Sequence, residues 1–144
     1  MRTDSTIMDP LLKIYSKMNE LSKSPKDFGT GELLYASEIH TIAVIGKNPE
    51  SNLTQIAHFL GVSKSAASKF IKKLLTKDYI IKNKAKNSNR EVMFHLTDKG
   101  QIALNGHEVY KVKMFKEVNT IIENTSETDI ILIEKFLNSI YEAL

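Results

Sequence analysis

Apolar residues recur along this chain at two periods, and the change of period marks where its architecture changes. Ile7, Leu11, Ile14, Met18 and Leu21 follow one another at steps of three and four, the spacing of one helix face, and predict a helix from about Thr6 to Ser22. Ser24-Pro25-Lys26-Asp27-Phe28-Gly29 and Gly31 form a loop after it. A second helix is expected over Glu32–Ile45, burying Leu34, Ile39, Ile42 and Ile45, with Gly46 and Asn48-Pro49 as its stop. Asn52 caps a short third helix: Gln55 stands three residues on, as in a capping box, and Ile56, Phe59 and Leu60 supply its buried side before Gly61 closes it. Ser63 caps a fourth helix reaching to about Lys77. Ala67, Phe70, Ile71 and Leu74 face inward there, and Lys64, Ser65, Ser68, Lys69, Lys72 and Lys73 face out.

From Tyr79 the period drops to two. Lys82, Lys84 and Lys86 alternate with Ile81, Asn83 and Ala85, and Val92, Phe94 and Leu96 alternate with Glu91, Met93 and His95. This is a β-hairpin with its tip at Asn87-Ser88-Asn89-Arg90. Thr97 or Asp98 then caps a long helix, Lys99–Asn124. Ser126 with Asp129 opens a last one carrying Ile130, Ile133, Leu137, Ile140 and Leu144. The fold class is mainly α with a small β-hairpin wing.

Composition narrows the function classes. The 144 residues, 42% hydrophobic and 26% charged, suit one ordinary domain. With no apolar run of membrane-spanning length, and no signal-peptide order in Met1–Asp9, a soluble cytoplasmic protein without a membrane partner is expected. Cysteine is absent, which excludes disulfides, thiolate metal sites and thiol nucleophiles. A Gly-rich phosphate loop, His-Glu-x-x-His and Gly-x-Ser-x-Gly are also missing, so no enzyme is expected. The net charge of +3 is unevenly spread: Val62–Arg90 holds nine bases against Asp78 alone, a local +8 that leaves −5 elsewhere. That asymmetry points to a polyanion. A merely solvated charged face is the plainer alternative, but it does not explain why a basic helix and a basic hairpin are adjacent.

Residues 53–75 have the order of a helix-turn-helix. Ala57 allows close helix approach, Gly61 can take positive φ at the turn, and Ser63 satisfies a free amide at the start of the second helix. With the lysine-faced hairpin directly after it, the order is that of a winged helix. The second helix would enter the major groove of double-stranded DNA by its N-terminal half. Ser63, Lys64, Ser65, Ser68 and Lys69 are then placed for base edges or flanking phosphates, and Lys72 and Lys73 for phosphate. The wing would lie along the backbone through Lys84, Lys86 and Asn89 and place Arg90 in the neighbouring minor groove.

Ser37-Glu38-Ile39-His40, Asn52-Leu53-Thr54-Gln55-Ile56-Ala57, Gly61-Val62-Ser63, Ile71-Lys72-Lys73-Leu74 and Arg90-Glu91-Val92 through Leu96-Thr97-Asp98-Lys99-Gly100 resemble MarR-type (multiple antibiotic resistance regulator) transcription factors over nearly the whole chain. The resemblance implies a single MarR-like domain with a lobe at 32–100 and dimerisation helices in 1–31 and 101–144. It further implies a homodimer on a near-palindromic operator, acting as a repressor, less often an activator, and modulated by a small effector rather than by a required cofactor. Two positions depart from the pattern. Ser88 stands where an Asp commonly pairs with the wing arginine, and Asp78 where Gly usually follows the recognition helix; Asp tolerates the left-handed conformation better than most residues.

The dimer is also expected from the residues themselves. Terminal helices striped with Ile7, Leu11, Ile14 and Met18, and with Ile130, Ile133, Leu137 and Ile140, carry more apolar surface than a small central domain can cover. A two-fold dimer would set two recognition helices about 34 Å apart, one turn of DNA. His40 and His107, near Glu38 and Glu108, occupy positions similar to zinc ligands in some MarR-like regulators, although Lys111 stands where those place another histidine. Imidazole with carboxylate suits zinc, so His40, His107 and Glu108 are candidate ligands; packing roles for the two histidines are the alternative. His58 and His95 are expected to be structural or solvated. A winged-helix module that contacts protein instead of DNA is the second functional class.

Overall fold

The computed structural model describes residues 5–144, apart from the side chains of Ser5, Ser88 and Asn89. Its elements run α1 (Ser5–Ser22), β1 (Lys26–Asp27), β2 (Leu33–Leu34), α2 (Ala36–Lys47), β3 (Ser51–Asn52), α3 (Leu53–Leu60), α4 (Lys64–Thr76), β4 (Ile80–Ala85), β5 (Ser88–Leu96), α5 (Asp98–Met114), α6 (Lys116–Glu123) and α7 (Glu127–Ala143). They fall into two compact units, one ending at Glu108 and the other running from Val109 to Leu144.

In the first unit α2, α3 and α4 pack on one another, and the antiparallel sheet β3-β5-β4 packs on α2, α3 and α4 through its separate strands. Leu34, Ile42, Ile45, Ile56, Leu74, Tyr79 and Ile80 are almost fully buried among them. Four expectations change in this unit. The second helix starts at Ala36, because Leu33–Leu34 pairs with Lys26–Asp27 and the Glu38 carboxylate reaches back to accept from the Tyr35 amide at 2.8 Å, fixing the helix start there. Phe59 is half-exposed and leaves the buried side of α3 to Ile56 and Ala57. The hairpin turns at Lys86–Asn87, so Ser88–Arg90 belong to β5.

The fourth change is one of facing. Lys82 pairs with Phe94 and Lys84 with Val92, and residues directly opposite on antiparallel strands share a sheet face. The lysines of β4 therefore stand on the same face as the apolar row of β5. Only Ile80 and Ala85 of β4 are buried, while Ile81 is half-exposed.

In the second unit the long helix expected to reach Asn124 is interrupted at Phe115, whose φ of −98° and ψ of 11° lie outside the helical range. The hydrogen bonds Phe115 N to Lys111 O (2.9 Å) and Asn119 N to Phe115 O (2.7 Å) persist. The interruption is thus one residue wide, and nothing in the sequence pattern marks it. Ser126 caps α7 as expected, accepting from the Asp129 amide at 3.1 Å.

Candidate nucleic-acid interface

Each turn of the helix-turn-helix is closed by a side chain or backbone group that the sequence supplies locally. Asn52 Oδ1 accepts from the Gln55 amide at 2.9 Å, and Gln55 Oε1 accepts in return from the Asn52 amide at 3.0 Å. At the other end of α3, Gly61 takes φ 67° and ψ 32°, a left-handed conformation that a side chain would strain. Ser63 Oγ then accepts from the Ala66 amide at 3.1 Å and starts α4.

Helix α4 buries Ala67, Ile71 and Leu74. Lys64, Ser65, Lys69, Lys72 and Lys73 are exposed, Ser68 is half-buried, and Ser63 is exposed at the cap. Lys72, Lys73 and Thr76 also line a shallow groove with Lys77. Lys77 itself is committed elsewhere: its ammonium lies 2.6 Å from the carboxylate of Glu38, which is only 2% exposed. It compensates a buried charge, so the positive field of this face comes from the other bases.

The wing is a bent hairpin. Ala85 pairs with Ser88 across the turn, yet the next residue of β4, Lys84, pairs with Val92. One step on β4 thus spans four on β5, leaving Asn89, Arg90 and Glu91 in a bulge. Lys84, Lys86 and Arg90 are exposed; the Asn89 side chain lies outside the described residues. The structure places Arg90 in this bulge, not at the tip.

At the base of the wing stand residues that sequence periodicity did not single out. Tyr79 is fully buried. Its hydroxyl donates to Glu32 Oε2 at 3.0 Å and lies 2.8 Å from Thr30 Oγ1. Lys99 Nζ sits 4.5 Å from the centre of the Tyr79 ring and donates to Glu32 Oε1 (3.0 Å) and the Lys77 carbonyl (2.9 Å). Hydrogen bonds from Lys99 and Tyr79 hold the Glu32 carboxyl below its usual range, and burial pushes the Tyr79 phenol up. The only signal for this cluster was one aromatic at the junction of helix and strand. Its partners are 47 and 49 residues away along the chain.

A family model described as MarR family matches residues 34–92, the stretch that holds α2, the helix-turn-helix and most of the wing. The structure of FabT from Streptococcus pneumoniae, solved in complex with DNA, superposes with a TM-score of 0.71 at 28% identity, covering 97% of this chain and 96% of that one. The chain is thus similar to the MarR family over residues 34–92. This is a family of transcriptional regulators, not of enzymes. The chain is also 25% identical over 122 residues to the HTH-type transcriptional regulator YhjH of Bacillus subtilis, matching 85% of this chain and 70% of that one. The zinc-responsive MarR member ZitR of Lactococcus lactis shares the fold, with a TM-score of 0.68 at 21% identity over 98% of this chain and 99% of that one.

The Leu-Thr-x-x-Gly motif of this chain, Leu96 to Gly100, has a local physical explanation. Thr97 Oγ1 donates to the Asp78 carbonyl at 2.6 Å and accepts from the Gly100 amide at 3.1 Å. A Cβ on Gly100 would overlap the Tyr79 carbonyl oxygen. The motif thereby locks the start of α5 against the junction of α4 and the wing. Asp78 adopts φ 61°, the left-handed conformation expected of it.

His40 and His107 do come together, with ring centroids 5.7 Å apart, and His107 is buried edge-on against Phe28. The carboxylate of Glu108 instead lies 3.2 Å from Lys47 Nζ. Among the described residues no group of three or more His, Asp or Glu side chains could hold a metal ion. The residues present therefore do not fit a zinc centre of the usual four ligands.

Among the candidate dimerisation residues, Ile7, Ile14 and Met18 of α1 and Ile133 and Leu137 of α7 are exposed in the single chain. Leu11, Ile130 and Ile140 are partly covered. No described helix is long and apolar enough to cross a membrane.

Proposed function

We propose that this chain is a cytoplasmic, sequence-specific regulator that binds double-stranded DNA as a homodimer, represses from a near-palindromic operator and is modulated by a small effector, with no catalytic step of its own. The observation that carries the reading is the exposed row Lys64, Ser65, Lys69, Lys72 and Lys73 on a capped helix, followed directly by the basic wing. In this reading residues 32–100 are the DNA-binding lobe, and the apolar faces of α1 and α7, in 1–31 and 101–144, are the dimer surface. Ser63, Lys64, Ser65, Ser68 and Lys69 meet base edges and nearby phosphates. Lys72, Lys73, Lys84 and Lys86 meet phosphates further out, with Asn89 beside Arg90 at the minor groove. The DNA complex of FabT, at 28% identity over nearly the whole chain, supports it.

Fluorescence anisotropy of the purified protein with duplex from upstream of its own gene, and with scrambled duplex, tests the reading across salt, with and without zinc. Contact with about eight phosphates gives a log–log salt slope near −7 and preference for the upstream duplex. A shallow slope with weak binding to both duplexes would instead favour a protein-binding module. Indifference to zinc is the result expected from the incomplete ligand set around His40 and His107.

A further inference from the structure

Asn52 holds two elements at once. Its Oδ1 caps α3 through the Gln55 amide, and its Nδ2 donates to Glu91 Oε1 at 2.6 Å, across 39 residues of sequence. The amide orientation is fixed from both sides: a backbone N–H needs the oxygen, and a carboxylate needs the NH2 group. Glu91 is the last residue of the β5 bulge that contains Arg90, and beyond it Val92 resumes pairing with Lys84. The backbone of Asn52 is also paired with Met93. The side chain that starts the first helix of the helix-turn-helix thus grips the wing one residue from its exposed arginine. Bulges bend a strand and re-aim its side chains, so the point where this bulge is tied decides where Arg90 is presented.

We infer that Asn52 is a positioning residue for the wing: through Glu91 it sets how Arg90 meets the DNA flank, and with it the preference for flanking sequence. This inference rests on the DNA-binding reading above. The test uses the full-length protein and two duplexes that share one half-site core, one with A·T-rich and one with G·C-rich flanks. Asn52→Asp keeps a competent helix cap but turns a carboxylate oxygen toward Glu91. It lowers the ratio of affinities for the two duplexes by about tenfold, the worth of one charge-assisted hydrogen bond. The ratio cancels the uniform effect of an added negative charge.

Glu91→Gln alone keeps an acceptor for Asn52 and leaves the ratio within about twofold of wild type. Asn52→Asp with Glu91→Gln restores a donor–acceptor pair in the opposite sense and recovers the ratio. Circular dichroism melts of the same proteins separate positioning from folding: Asn52→Asp melts below the double variant, yet both are fully folded at the temperature of the binding assay, where their ratios differ. An unchanged ratio in Asn52→Asp, or a loss the double variant does not recover, overturns the inference. Wild-type protein that binds duplex without flank preference overturns it as well but leaves the DNA-binding reading standing. Wild-type protein that does not bind duplex at all overturns both.

Discussion

Removing the charge of Lys77 should injure the fold far more than its place on a basic surface suggests. Glu38 is 2% exposed, and besides the Lys77 ammonium at 2.6 Å its carboxylate has the Tyr35 amide at 2.8 Å. Lys77→Met would leave a buried carboxylate with one neutral donor, and breaking such a pair on one side costs about 3 kcal/mol. With a urea dependence of about 2 kcal/mol per molar, the unfolding midpoint falls by about 1.5 M. Lys77→Met with Glu38→Gln should regain about 2 kcal/mol, since Gln still accepts from Tyr35 but buries no charge. Urea unfolding followed by circular dichroism at one fixed protein concentration measures both, because subunit association couples to stability.

The same ion pair makes a prediction about DNA. Lys77→Met should leave the salt slope of duplex binding unchanged, whereas Lys72→Met, which removes one phosphate contact from each protomer of the dimer, lowers its magnitude by about two. A loss below about 1 kcal/mol for Lys77→Met, or a double variant no more stable than the single, would refute the argument from burial.

Arg90→Ala should weaken binding mainly on duplexes with A·T-rich flanks, and Lys69→Ala mainly through the half-site core; equal losses on every duplex, read by anisotropy, would contradict that division. Deleting residues 127–144 should abolish the dimer, and a shortened protein still dimeric at micromolar concentration by sedimentation would count against the terminal-helix interface. The Tyr79 and Glu32 groups predict opposite pH limbs. Glu32 titrates below its ordinary 4.5, so its contribution is present above that pH and is lost as pH falls through the folded value; Tyr79 titrates above its ordinary 10.0, so its contribution is present below pH 10 and is lost as pH rises through the folded value. Urea midpoints from pH 8 to 11 should therefore decline more steeply for wild type than for Tyr79→Phe, and parallel curves would argue against the cluster.

The winged helix-turn-helix was legible in the sequence because its determinants are local. Asn52 and Gln55 cap α3 from three residues apart, Gly61 supplies the left-handed turn, Ser63 caps α4, and Ala67, Ile71 and Leu74 mark a buried stripe at helical period. None of these needs the rest of the chain to act. The exposed lysine row follows from the same period, since a helix with one face buried must present the other.

What the tertiary structure decided are the pairings between distant residues. Sequence counts Lys77 with the other bases, but packing of α4 on α2 places it against Glu38, 39 residues away. Alternation alone put the lysines of β4 opposite its apolar side. Register with β5 instead set Lys82 and Lys84 on the face of Phe94 and Val92, because facing depends on the partner strand as well as on the strand itself. Residues Glu32–Tyr35 fit a helical stripe in isolation, yet pairing of Leu33–Leu34 with Lys26–Asp27 moved the helix start to Ala36. The bulge around Arg90 and its tie to Asn52 likewise exist only once β3, β5 and α3 have come together. Local propensity fixes caps, turns and periods within a few residues, whereas register, ion-pair partners and the aim of the wing are set by contacts that only folding creates.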